Sequence, residues 1–198
     1  MAKETQALGA SDAEQTRALA VDLAALLGFS GALVVTAGLI KTPMGLPGHS
    51  ALFWMPVLVL AGAHRRAGTA AGAALCGGGV SVGLGVMGAS EFGGLVLAGL
   101  VLEGLRLLRG ARPEGLWLLV AGLVAHCGKL AVKLGPALIA HQVLNGAHLG
   151  LSLTAALYAA FGLGGGVIAW GALAAWRRWG PGGPRGEQES ALHDATRR

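Results

Sequence analysis

The chain has 198 residues, 54% of them hydrophobic and only 13% charged, with a mean hydropathy of +0.61. Soluble domains carry about 25% charged residues, so composition argues against a soluble fold, and the lack of a G-X-Y period excludes collagen despite 35 glycines. The net charge of +5 gathers in certain loops and the tail with few aromatics nearby, a pattern of membrane topology rather than of nucleic-acid binding.

Residues 1–16 are polar and read as a loose tail or a short surface helix, without the charged n-region and apolar h-region of a cleavable leader. Apolar blocks near the length needed to cross a bilayer, about 20 residues, then follow one another. The first span is expected from Ala18 to Ile40. A loop with two prolines, 41–50, leads to a short second span, Ala51 to Ala63, which His64-Arg65-Arg66 ends. The third span, Ala67 to Gly88, is rich in Gly and Ala. Ser90-Glu91 separates it from the fourth, Phe92 to Leu108. A loop from Arg109 to Glu114 precedes the fifth, Gly115 to Ala140. A polar turn, His141 to His148, precedes the sixth, Leu151 to Trp176. The fold class is therefore an all-α integral membrane protein: a bundle of six transmembrane helices over 17–178, with a polar N-terminal tail (1–16) and a Gly/Pro-rich cytoplasmic tail (179–198) whose composition is that of disorder.

Six spans put both termini on one side. That side holds Lys3, Arg17, Arg65, Arg66, Arg109, Arg112, Arg177 and Arg178, and the other holds Lys41 alone among Lys and Arg. Lys and Arg collect in cytoplasmic loops, so both termini are expected in the cytoplasm and the protein in the cell membrane. Trp54, Trp117, Trp170, Trp176 and Trp179 include several near span ends, where interface aromatics sit. Cys76 and Cys127 both fall in apolar spans and read as small core residues, not as a disulfide or metal pair.

Charges in hydrocarbon are costly and commonly mark a solute path. His126, Lys129 and Lys133 are spaced by three and four residues, which at about 100° per residue puts them on one helix face. The functional expectation is an outward-opening cavity whose ammonium groups hold an anionic solute. Against it stand a snorkelling Lys133 and a hydrogen-bonded core His126. Glu103 falls in the inner half of the fourth span, roughly 10 Å deeper than Lys129, within reach of His126 or of Arg106. His49, Ser50, Glu91, His141, Gln142, Asn145 and His148 lie in the outer loops. Three loop histidines raise a metal site, but their spacing matches no ligand pattern. Gly83-Leu-Gly85-Val-Met-Gly88 matches G-x-G-x-x-G but has neither the strand nor the βαβ unit that such a nucleotide site needs. Gly68/Gly72, Gly79/Gly83 and Gly162/Gly166 have the spacing that suits close helix packing. No soluble enzyme motif is present, so energy is expected from a partner or an ion gradient.

Several of these features together resemble the substrate-capture (S) component of energy-coupling factor (ECF-type) vitamin importers. Ala20-Val-Asp-Leu-Ala24 is similar to the small-residue motif with which that family docks its coupling subunit. The loop 41–50 resembles its first outer loop, a Pro/Gly-rich lid. The run Met55 to Gly62 with Ala67-Gly68, and Glu91 through Leu105, resemble its second to fourth spans. Ala2 stands where metal-importing relatives carry a histidine, which lowers a nickel or cobalt assignment. The resemblance implies a solute-binding subunit with no cofactor, no bound metal and no ATPase of its own. It implies docking through Ala20 and Ala24 to a transmembrane coupling subunit driven by two cytoplasmic ATPases. The substrate contacts it implies are His49, Glu91, His126, Lys129, Lys133, Gln142 and Asn145, for a small micronutrient that the lysines would favour as an anion. The competing expectations are a metal-handling membrane protein or enzyme using Glu103, His126 and the outer histidines, and an assembly factor of membrane complexes that packs through its Gly/Ala faces.

Overall fold

The computed structural model describes residues 2–40, 46–109, 115–139 and 150–180. Among these there are helices and turns and no strand. α1 (Ala2–Leu33) continues into a π-helical segment, Val34–Leu39; then come α2 (Ala51–Ala63), α3 (Thr69–Gly83), α4 (Ala89–Arg109), α5 (Gly115–Ile139) and α6 (Leu151–Trp179). The polar N-terminal stretch is thus continuous with the first apolar helix from Ala2 onward, and α3 stops five residues earlier than hydropathy suggested. The reason for the latter is Gly85, whose φ of +70° turns the chain. Residues 181–198 and the turn His141 to His148 lie outside the described residues.

Among the described residues, three helices are long and apolar enough to cross a membrane: Glu14–Leu39, Gly115–Val132 and Leu151–Trp179. α2 and α3 have 13 and 15 residues, about 20 Å and 22 Å at 1.5 Å per residue, short of a hydrocarbon core of about 30 Å. α4 has the length, with 21 residues, but carries Glu91, Glu103, Arg106 and Arg109. The outer surface of the bundle is apolar. Leu27 on α1, Leu100 and Leu107 on α4, and Val167, Ile168 and Trp176 on α6 are all exposed, and contiguous exposed apolar surface marks membrane or interaction faces.

α2 is the hub. It contacts α1, α3, α4, α5 and α6, and Ala51, Trp54, Met55, Pro56, Leu58, Val59 and Ala61 are buried along it. Around it, α1 packs on α3, α3 on α4, α4 on α5 and α5 on α6. Successive helices alternate in direction. The 64–68 turn lies beside Asp22 of α1, Glu103 of α4 reaches the start of α3, and Trp170 of α6 covers Gly115 at the start of α5.

Small residues set the helix separations, because in a membrane close packing replaces the hydrophobic drive for association. A Cβ on Gly77 would lie 2.6 Å from the Ser30 carbonyl, and one on Gly99 2.9 Å from the Ala70 carbonyl. At the α5–α6 contact, Gly162 and Gly166 press on the Gly122 and Leu118 carbonyls, so this expected pair does mediate packing. Gly79 and Gly83 do not: nothing lies within 4 Å of a Cβ at either. Hydroxyls in the apolar helices bond back one turn, Ser30 to the Leu26 carbonyl at 2.7 Å, Thr36 to the Ala32 carbonyl at 2.7 Å and Ser81 to the Gly77 carbonyl at 2.9 Å, as polar groups away from water must. Cys76 is exposed on the outer face rather than in the core, and Cys127 is half-buried. Cys76 lies outside the face of α3 that carries the buried Ala70, Ala73, Ala74 and Gly77.

Candidate functional site

A cavity of about 430 Å³ opens at the end of the bundle away from the 64–68 turn. Its lining comes from four parts of the chain. The loop 46–50 gives Leu46 to Ser50, the start of α4 gives Ser90 and Glu91, α5 gives His126 and Lys129, and α6 gives Tyr158. His49, Glu91, His126 and Lys129, singled out from the sequence, therefore converge on one space although up to 80 positions separate them (129 − 49).

His126 is the floor of this space and is fully buried. Its ring stacks on Tyr158 with centroids 4.6 Å apart and planes 13° from parallel. Trp54 of α2 meets it edge-on at 5.6 Å. Nε2 lies 3.2 Å from the Gly48 carbonyl oxygen. A carbonyl only accepts, so Nε2 carries the proton and donates. In the neutral tautomer that donates from Nε2, Nδ1 is an acceptor. Nδ1 is buried and has no hydrogen-bond partner among the described residues. Buried polar atoms are rarely left so, and His126 is among the residues that line the cavity.

Gly48 brings the loop down onto this floor. Its φ is +85°, and a Cβ there would lie 3.0 Å from both His126 Nε2 and Tyr158 Cδ2. Only glycine meets both demands. Lys129, one turn beyond His126 on α5, places Nζ 4.7 Å from the Trp54 ring centroid. Its stem runs against Gly94 of α4, where a Cβ would lie 2.7 Å from Lys129 Cγ. Cation–π contact and a backbone that yields room for the stem hold an ammonium inside the bundle.

The remaining expected residues divide. Glu91 lines the cavity and its Oε2 accepts from the Gly88 N–H at 3.2 Å, reaching back over the first turn of α4 as a cap. His49 lines the cavity with Nδ1 2.5 Å from the Leu46 carbonyl oxygen. Gln142 and Asn145 lie outside the described residues, as does the side chain of Lys133. Glu103 reaches neither His126 nor Arg106. Its Oε1 accepts from the Ala70 N–H at 2.8 Å, capping α3 from α4. Trp54 is not an interface aromatic but a core residue, 1% exposed. Tyr158 was missed. It is the only tyrosine of the chain, and a lone phenol among Ala, Leu and Gly in an apolar span was the signal available. Among the described residues no three His, Cys, Asp or Glu side chains come together as metal ligands would.

Chemically, the site offers one ammonium (Lys129), one carboxylate (Glu91), two imidazoles (His49 and His126), two serine hydroxyls and the Tyr158 ring. Its volume falls in the range of small-molecule pockets, about 300–1,000 Å³. Ala20 and Ala24, the expected docking residues, are exposed on α1 toward the opposite end. No known protein family, curated protein or solved structure matches this chain.

Proposed function

We propose that the protein captures a small anionic solute in the membrane and passes it to a transport partner, as the S component of an ECF-type importer does. The observation that carries this is the convergence of Lys129, His126, Glu91, His49 and Tyr158 on one cavity beneath the loop 46–50. In this proposal six helices cross or line the cell membrane, both termini and the arginine-rich 64–68 turn are cytoplasmic, and the cavity faces outward. The alternating helix directions and the exposed apolar side chains support the bundle, and Arg65 and Arg66 in the 64–68 turn support its orientation.

The site's chemistry defines the solute further. Lys129 favours a carboxylate or phosphate. His126 Nδ1 calls for an N–H or O–H donor on the same molecule, and Tyr158 with Trp54 suits a planar ring. The loop 46–50 is the lid over the bound solute. Ala20 and Ala24 lie on the exposed face of α1, free of the bulk that would keep a partner helix away. There the coupling subunit docks, and two cytoplasmic ATPases supply the energy.

The docking half is tested with Ala20→Trp and Ala24→Trp in cells expressing the partner subunits. Co-purification of a membrane coupling subunit and ATPases with the wild-type chain, its loss in both variants, and retained solute binding are expected. Normal co-purification of both variants would refute docking at this face.

A further inference from the structure

A second cavity, of about 330 Å³, lies at the opposite end of the bundle, between α1 and the 64–68 turn. Leu19, Leu23 and Leu26 of α1 form its apolar wall, and Asp22, Arg66, Ala67, Gly68 and Thr69 form its polar edge. Leu26 closes the floor against Gly72, where a Cβ would lie 3.1 Å from Leu26 Cδ1. Leu19 and Leu23 are more than half exposed or nearly so, at 50% and 57%, so the wall opens onto the apolar belt of the bundle.

The charge here is in surplus. Asp22 takes a bond from Arg65 Nε at 2.9 Å and from Arg66 Nη1 at 3.5 Å, yet the arginine side chains stay 58% and 53% exposed while Asp22 is only 14% exposed. One carboxylate thus orients two guanidiniums without covering them. Arg106 donates to the Arg65 and Arg66 carbonyl oxygens, which fixes the turn and adds a third guanidinium beneath it. Glu103 is turned away onto the Ala70 N–H.

A cationic rim joined to an apolar slot open to lipid has the shape and polarity of one phospholipid. We infer that the slot between α1 and the 64–68 turn binds an anionic phospholipid, its phosphate on Arg65 and Arg66 and an acyl chain along Leu19, Leu23 and Leu26. At about 100° per residue, this wall lies roughly a third of a turn around α1 from Ala20 and Ala24. Lipid and docking partner are neighbours here, not competitors, and the site stands whether or not the chain captures a solute.

The test uses the full chain in detergent, equilibrated with an equimolar mixture of phosphatidylglycerol and phosphatidylcholine, and counts retained lipid by native mass spectrometry. Phosphatidylglycerol is retained in preference, and retention falls roughly fivefold for each of Arg65→Gln and Arg66→Gln. Asp22→Asn strengthens retention, because it releases both guanidiniums, whereas a purely structural ion-pair cluster would be harmed by it. Leu23→Ser weakens retention with every charge in place, and serves if an arginine variant fails to fold. Inorganic phosphate at millimolar concentration does not displace the lipid. Equal retention of both lipids, undiminished retention in the arginine variants, or displacement by phosphate would overturn the assignment. A slot that seats a protein partner instead gives the first of these results.

Discussion

At the end of the bundle that carries the 64–68 turn, carboxylates have protein partners: Asp22 lies between Arg65 and Arg66, and Glu103 caps the Ala70 N–H. At the other end, His126 is sealed between Tyr158 and Trp54 with one nitrogen on Gly48 and the other without a partner among the described residues. The same rule of membrane chemistry, that polar groups away from water need partners, is met within the chain at one end and left incomplete at the other. The first arrangement ties helices together. In the proposed reading, the second awaits a solute.

The largest expected effect probes the walls of the open end. Gly162→Leu or Gly166→Leu drives a side chain into the α5 backbone, where even a Cβ would lie 2.8 Å from the Gly122 carbonyl or 2.7 Å from the Leu118 carbonyl. Melting in detergent should fall by the equivalent of about 3 kcal/mol or more, with solute retention lost. Gly79→Leu, which meets nothing within 4 Å, should leave melting and retention unchanged. An assembly factor packing through its glycine faces would show the reverse sensitivity in complex formation.

Next in size is the pair of His126 variants, which separates the two ring nitrogens. His126→Gln can still donate toward Gly48 but loses the Nδ1 acceptor, while His126→Asn keeps an acceptor near Nδ1 and loses the bond to the loop. Equilibrium binding of the co-purified solute should weaken by at least tenfold in the first and less in the second, the net worth of a buried hydrogen bond to a polar ligand being about 1–3 kcal/mol. Weakening in the second variant alone would mean that the loop contact, and not the Nδ1 acceptor, matters. Gly48→Ala follows. A left-handed conformation costs an L-residue about 1–2 kcal/mol, and the added methyl meets both rings, so faster solute release is expected in a stopped-flow chase.

The smaller effects belong to the self-satisfied end. Glu103→Ala removes the cap of α3 and should lower stability by about 1 kcal/mol, read as a melting shift, with solute affinity unchanged. A change in affinity there would break the division between the two ends. Asp22→Asn is expected to shift melting least of all, since exposed ion pairs contribute little.

Much of the helix layout was legible because hydropathy and breakers coincide. Ala51–Ala63 is bounded by Gly48 and by His64-Arg65-Arg66, and Leu151–Trp179 by Gly150 and Gly180. Helix-face spacing put His126 and Lys129 together, whereas His49 and Glu91 entered beside them only through the family resemblance; all four line one cavity. What escaped depended on contacts between helices. Hydropathy treats Trp54 as a span residue and cannot say that it turns inward to meet Lys129 and His126. Nor can it show that Glu103, expected near His126 or Arg106, instead serves a backbone N–H 33 residues earlier. The polar start of α1 was read as separate because polarity marks exposure, whereas helix continuity depends on backbone bonding.

The measurement closest to the central claim is native mass spectrometry of the detergent-purified protein as isolated, beside Lys129→Met, which keeps the stem against Gly94 and removes the charge. The account predicts a small-molecule adduct on the wild type, anionic and bearing an N–H or O–H donor, that is absent from Lys129→Met. A wild-type chain that carries no small molecule, or an adduct that survives in Lys129→Met, would contradict it.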